Sequence, residues 1–296
     1  LLMKSIWKDI QKNFKRGTNF TKLLYINLGV FLFYKLILLL SFLLEVKDIH
    51  YFMENYLYFP ASSIKFISKP WTILSYMFIH TKFFHLLFNM IWLHFGSKLF
   101  LQYFNGKQLL SVYILGGFSG GLFYMFCFNI LPAFTNITHN SVLLGASSSV
   151  IAIFIAISSY KPNYKVLLPL IGNIQLKYIA LSLIILDLAN IEANNPGGHI
   201  SHLGGAIFGF VYVSLLRNGV DISVNFYNFI GLFYYSKKSK LKKAYKRKQK
   251  SNDDIFLSTK AEKQKKINVI LEKISKSGYD SLSKDEKYTL FKESKK

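Results

Sequence analysis

Gly145-Ala146-Ser147-Ser148-Ser149-Val150 opens an apolar run from Val150 to Ile157 that reads as a membrane-buried helix with serine in its first turn. Gly145 and Ala146 add almost no bulk, so the backbone N–H groups at this helix start stay open. Their dipole favours negative charge beside Ser147 Oγ. An oxyanion fits such a place. Small residues also let membrane helices pack closely, and taken by itself the cluster reads first as packing. The rest of the chain shifts that balance toward chemistry.

The 296 residues are 51% hydrophobic and 17% aromatic, and the apolar residues are grouped in long blocks rather than short amphipathic periods. That grouping marks a membrane protein. One cysteine, Cys127, excludes an internal disulfide and any zinc site built from several thiolates. A net charge of +22 raises nucleic acid as a partner, but membrane proteins gather Lys and Arg on the cytoplasmic side. The position of the charge decides.

Residues 1–20 form a basic arm with Lys4, Lys8, Lys12, Lys15 and Arg16, and Met3 reads as a more natural start than Leu1. An apolar span from about Leu23 to Leu44 follows, too long for a cleaved signal peptide and long enough to cross a bilayer, which takes roughly 20 apolar residues. Lys35 falls within it and must face protein, water or an interface. Residues 45–78 are too polar to span; Tyr51, Phe52, Tyr56, Tyr58, Phe59, Phe66 and Trp71 suit a loop lying in the outer lipid–water interface. Further helices are expected at roughly 80–103, 109–131, 146–160, 176–189 and 199–216, the fifth being short unless Val166 to Ile171 contributes. The chain therefore reads as all-α: a polytopic membrane protein with a six-helix domain at 21–216, a long interfacial first loop, and a basic tail at 217–296.

With the N-terminus inside, the inner connections carry Lys98, Lys107, Lys161 and Lys165, whereas 132–145 and 190–198 hold no Lys or Arg. The positive-inside bias is satisfied, and both termini are expected to be cytoplasmic. From Arg217 onward there are 21 Lys and Arg against 9 Asp and Glu, more than half of the whole excess. Nine of these cations lie in 237–250, a segment fitted to anionic lipid headgroups. Nucleic acid is not expected, because nothing there resembles a reading element. Ile267, Ile270, Leu271 and Ile274 then repeat at helical spacing, Gly278 can end that helix, and Ser283-x-x-Glu286 reads as a capping box for another. Two short helices bury little and call for docking on a partner, the bundle or the membrane.

This topology puts Ser147, His202, His80, His85 and Asn89 at one depth on the outer side. Polar groups there are costly and mark function. Gly205 and Gly209, at i and i+4, form a smooth ridge, and Ser147, Val150 and Ile151 mark a slim face on the fourth helix. Packing the two would bring Ser147 and His202 within the reach that activates a hydroxyl.

Taken together, His80-x4-His85-x3-Asn89, Gly145-x-Ser147-Ser148 and His202-x2-Gly205-x3-Gly209 resemble the rhomboid intramembrane serine proteases over about residues 20–216. The resemblance implies a six-helix bundle in a bacterial cytoplasmic membrane that cleaves single-span membrane proteins near the outer leaflet. It implies Ser147 as nucleophile, His202 as general base, and His85, Asn89 and the Ser147 N–H at the oxyanion hole. Many members have Gly after the nucleophile, an aromatic residue four positions beyond it, and Trp-Arg in the first loop. Here these are Ser148, Ile151 and Trp71-Thr72. Ile151 leaves His202 to be oriented by other neighbours, and Thr72 removes an arginine anchor from the loop.

Blander readings compete for single residues. His80 reads as interfacial or structural, and His94 and His139 as ordinary interface or loop residues. Asp187 can be imagined as a third catalytic member but reads first as a structural intramembrane carboxylate. His199 and His202, with His80 and His85, raise a metal or haem protein, yet no acidic residue accompanies them in a His-Glu-x-x-His pattern, so neither metal nor cofactor is expected. A non-catalytic, client-binding relative is the other alternative, and its usual sign would be the loss of Ser or His.

Overall fold

A computed structural model describes residues 10–11, 13–15, 17–168, 172–192, 195–233, 265 and 267–294. The basic segment 237–250 and most of the N-terminal arm lie outside them. The chain forms two units, residues 1–235 and 236–296.

The first unit is a bundle of six helices: α1 (Asn19–Leu43), α2 (Phe83–Phe100), α3 (Gly106–Ile130), α4 (Ser147–Tyr160), α5 (Leu176–Ala189) and α6 (Pro196–Arg217). α1, α3 and α6 are long and apolar enough to cross a membrane, and α4 is a shorter apolar helix. Thr18 caps α1 through its hydroxyl, and Asn105 with Gln108 closes a capping box on α3. Exposed Leu32, Phe33, Phe84, Phe88, Leu181 and Ile185 line the outside of the bundle, as lipid contact requires.

α4 is the centre. Its 14 residues are buried from Ser148 to Ser158, save the half-buried Ile151, against α2, α3, α5 and α6. At 1.5 Å per residue the helix is about 21 Å long. A hydrocarbon core is about 30 Å thick. The start of α4 therefore lies below the membrane surface when its other end is near the opposite face. Arg217 at the end of α6 fixes that other end, donating to the Ser159 carbonyl at 2.6 Å and so satisfying an orphan acceptor of the last turn.

In lipid, apolar transfer does little to hold helices together, so close packing must. Gly205 and Gly209 supply it: a Cβ at Gly205 would meet the backbone of Ser148, and one at Gly209 the carbonyl of Ala152. The slim face of α4 is thus Ser148, Ala152 and Ala156. Ser147, Val150 and Ile151, expected to be that face, line a cavity instead.

The first loop is built, not merely draped. Helices Ile49–Leu57 and Ser63–Ser68 flank β1 (Phe59–Pro60), which pairs antiparallel with β2 (Val142–Leu143) just ahead of α4. The Tyr34 and Tyr58 hydroxyls meet at 2.8 Å and clasp the loop to α1. Burial, and then that hydrogen bond, pushes the Tyr58 hydroxyl well above the usual phenol range. Where an arginine anchor is lacking, Trp71 Nε1 donates to the Tyr56 carbonyl at 2.9 Å and Thr72 Oγ1 to that of Lys69 at 2.7 Å.

Three sequence expectations are corrected. α2 begins at Phe83, so His80 sits in the loop before it rather than in its first turn. Val166 to Leu168 do not extend α5: they belong to β3 (Lys165–Leu168), paired antiparallel with β4 (Gly172–Gln175), and the rest of the expected Val166 to Ile171 run, 169–171, lies outside the described residues. Ile222–Phe233, in the expected tail, is a further helix packed against α3, where Gln108 Nε2 donates to Asp221 at 3.0 Å.

In the second unit, residues 267–277 are helical, Gly278 follows with φ +76°, and Lys284–Ser294 forms the last helix. The Glu286 N–H donates to Ser283 Oγ and the Ser283 N–H to Glu286, completing the capping box. The hydrogen bond from Lys273 holds the Glu286 carboxyl below the usual carboxylate range.

Gly205→Ala should destabilise the bundle by about 1–3 kcal/mol, the usual cost of overpacking. Gly29→Ala, at a helical position with open space around it, should not. Thermal unfolding of both variants in detergent checks the contrast, and equal melting temperatures would refute the α4–α6 backbone contact.

Candidate active site

Two hydrogen bonds hold the start of α4. The Gly145 N–H donates to the Tyr76 carbonyl at 2.9 Å, and the Ala146 N–H to His80 Nε2 at 3.3 Å. His80 is therefore neutral, its Nε2 accepting and its Nδ1 facing the Phe78 carbonyl. Gly145 has φ +113°, and an added Cβ there would lie 2.6 Å from His85 Cε1, so no other residue fits without strain. The chain then enters α4 at Ser147. Among the described residues nothing accepts from the Ser147 N–H, one of the orphan donors of a helix start.

The three serines divide cleanly. Ser148 Oγ is buried 3.0 Å from the Tyr76 hydroxyl, and Ser149 Oγ donates to Met77 Sδ. Ser147 alone faces the cavity, its Oγ 2.7 Å from His202 Nε2 on α6. On the other side of that ring, His202 Nδ1 lies 2.8 Å from Asp187 Oδ1 at the end of α5. A carboxylate only accepts, so Nδ1 carries the proton and Nε2 has a lone pair for the Ser147 hydroxyl. Serine, imidazole and carboxylate stand in one line, in the tautomer that general-base chemistry requires.

The cavity has a volume of about 610 Å³ and is lined by Lys82, His85, Asn89, Leu144, Ser147, Ile151, Asp187 and His202, among others. His85 and Asn89 share one face of α2, with Asn89 Nδ2 donating to the His85 carbonyl at 2.8 Å. The second amide hydrogen of Asn89 remains for another acceptor. The His80 and His85 rings meet edge-on at 5.1 Å.

Sequence reasoning undervalued Asp187. It is the only acidic residue in the six helices, and that solitude was a usable signal. Its partner could not be read, because contact depends on where α5 ends beside α6. His199 was likewise set aside, yet its Nδ1 also lies 2.8 Å from Asp187 Oδ1. An acidic residue thus does accompany a histidine pair, supplied by another helix rather than by a local motif. Asp187, His199 and His202 are a set that could hold a metal ion.

A polytopic helical bundle with a buried serine helix and a histidine-bearing glycine ridge defines an integral membrane protein. The Rhomboid domain matches residues 68–219, half of the chain, and the protein belongs to the rhomboid family. It is a family of intramembrane proteases and their non-catalytic relatives. A family of unknown function (DUF6576) matches residues 250–296. No curated protein matches the chain.

Gly145→Ala should cost about 1–2 kcal/mol for the left-handed backbone alone, and more for the clash with His85. A melting temperature equal to wild type would show that this turn relaxes freely.

Proposed function

We propose that this protein is an intramembrane serine endopeptidase that cuts single-span membrane proteins near the outer leaflet. The observation that carries the reading is the 2.7 Å contact between Ser147 Oγ and His202 Nε2, in line with Asp187, at the floor of an open cavity.

Ser147 Oγ attacks the scissile carbonyl carbon as its proton passes to His202 Nε2. Asp187 holds the ring in the correct tautomer and stabilises the imidazolium that forms. The oxyanion is met by the Ser147 N–H and by donors from His85 and Asn89. His202 then protonates the leaving amine, and a water deprotonated by the same histidine resolves the acyl-enzyme. A regular transmembrane helix hides its peptide bonds, so substrates with small, helix-weakening residues at the cut are favoured. Both termini lie in the cytoplasm of a bacterial cell, as the distribution of Lys and Arg favours. The basic tail meets anionic headgroups there.

Ser147→Ala and His202→Ala should each abolish cleavage of a reconstituted single-span substrate while leaving the protein inserted. Asp187→Asn, a positioning change, should lower kcat at least about tenfold with KM little altered, since the wrong tautomer is costly in related arrangements. Full activity in either of the first two variants would end the assignment.

His85→Ala and Asn89→Ala should each lower kcat about tenfold. That is less than the 10²–10³ typical of a dry oxyanion hole, because this cavity is open. Wild-type kcat in both would move the oxyanion hole elsewhere.

A further inference from the structure

The catalytic line uses one histidine on Asp187, yet two are there. His199 and His202, one turn apart on α6, both bring Nδ1 to within 2.8 Å of the same oxygen, Asp187 Oδ1. Nothing among the described residues donates to Oδ2 or bonds to His199 Nε2. The three side chains are a quarter exposed or less, and Asp187 and His202 line the cavity. One donor atom from each lies within 4.8 Å of the others.

We propose that Asp187, His199 and His202 form a binding site for a divalent transition-metal ion, best matched by Zn²⁺, whose occupancy switches the serine off. Two imidazoles and a carboxylate suit zinc and its neighbours, whereas magnesium and calcium prefer all-oxygen shells. In a tetrahedral site with bonds of about 2.1 Å, ligand atoms stand about 3.4 Å apart. To admit the ion, each 2.8 Å contact opens by about 0.6 Å and the two Nδ1 atoms, which lie within 4.8 Å of each other, take up the same spacing. The cavity leaves the fourth position to water.

The consequence for chemistry follows from proton placement and rests on the protease reading. A neutral imidazole has one proton. Metal on His202 Nδ1 takes the lone pair there and moves that proton to Nε2, which then donates to Ser147 Oγ instead of accepting from it. The base is lost without any change in backbone, and removal of the ion restores it. No net charge need leave the protein, and binding weakens where the histidines are protonated.

The test uses the purified full chain in detergent, stripped by a chelator, with Zn²⁺ in equilibrium dialysis and Co²⁺ as an absorbing substitute. Wild type and Ser147→Ala should bind about one ion per chain, with visible bands of four-coordinate cobalt. His199→Gln and Asp187→Asn should each bind at least about tenfold more weakly. Cleavage with and without Zn²⁺ is compared within each chain, so the ratio is independent of basal rate. The ratio should fall at least tenfold in wild type and stay near one in His199→Gln over the same range of zinc. Absence of bound zinc, or equal affinity in wild type and both binding-site variants, overturns the site. Bound zinc that leaves cleavage unchanged, or that cleavage requires, overturns the inhibition. If metal-free wild type never cleaves while zinc still binds through these residues, the protease reading fails and the metal site stands.

Discussion

The contact on which the rest depends is that between the backbone of α4 and the glycine ridge of α6. In lipid, a hydroxyl and an imidazole cannot be drawn together by the hydrophobic effect, because the surroundings are as apolar as the partner helix. They are brought together because nothing stands between two backbones at Ser148–Gly205 and Ala152–Gly209. Ser147 and His202 then fall into hydrogen-bond range as a by-product of packing. The ends are fixed separately: Arg217 ties the far end of α4, and the segment from Tyr76 to His80 ties the near end. Each tie satisfies a group that a helix terminus leaves open.

The shortness of α4 does the complementary work. A helix of ordinary spanning length would carry Ser147 to the surface, where any soluble peptide could reach it. At 14 residues it stops within the layer. The first loop is joined to the segment just ahead of α4 by the β1–β2 pair and to α1 by the Tyr34–Tyr58 clasp. The cavity that Ser147 faces is lined by residues of α2, α4, α5 and α6.

Much of this was legible in the chain. Long apolar blocks located the six helices, the capping signal Ser283-x-x-Glu286 lies at a real helix start, and Ser147 and His202 could be named before any contact was visible. The failures share a cause. Which side of α4 meets α6 differs by one residue, or about 100° of rotation, and sequence periodicity blurs at that scale when every side is apolar. β3 and β4 were unreadable because their pairing is a matter between segments. Asp187 and His199 come together only at the end of α5, where α6 brings two histidines to one oxygen of Asp187.

The order of these elements along the chain has a bearing on synthesis. Ser147 precedes His202 by 55 residues, so a nascent chain exposes the serine helix before the last helix exists. During that interval the Ser148 and Ala152 backbone has no ridge against it and the hydroxyl no base. A newborn chain therefore lacks the Ser147–His202 contact until its sixth helix has docked.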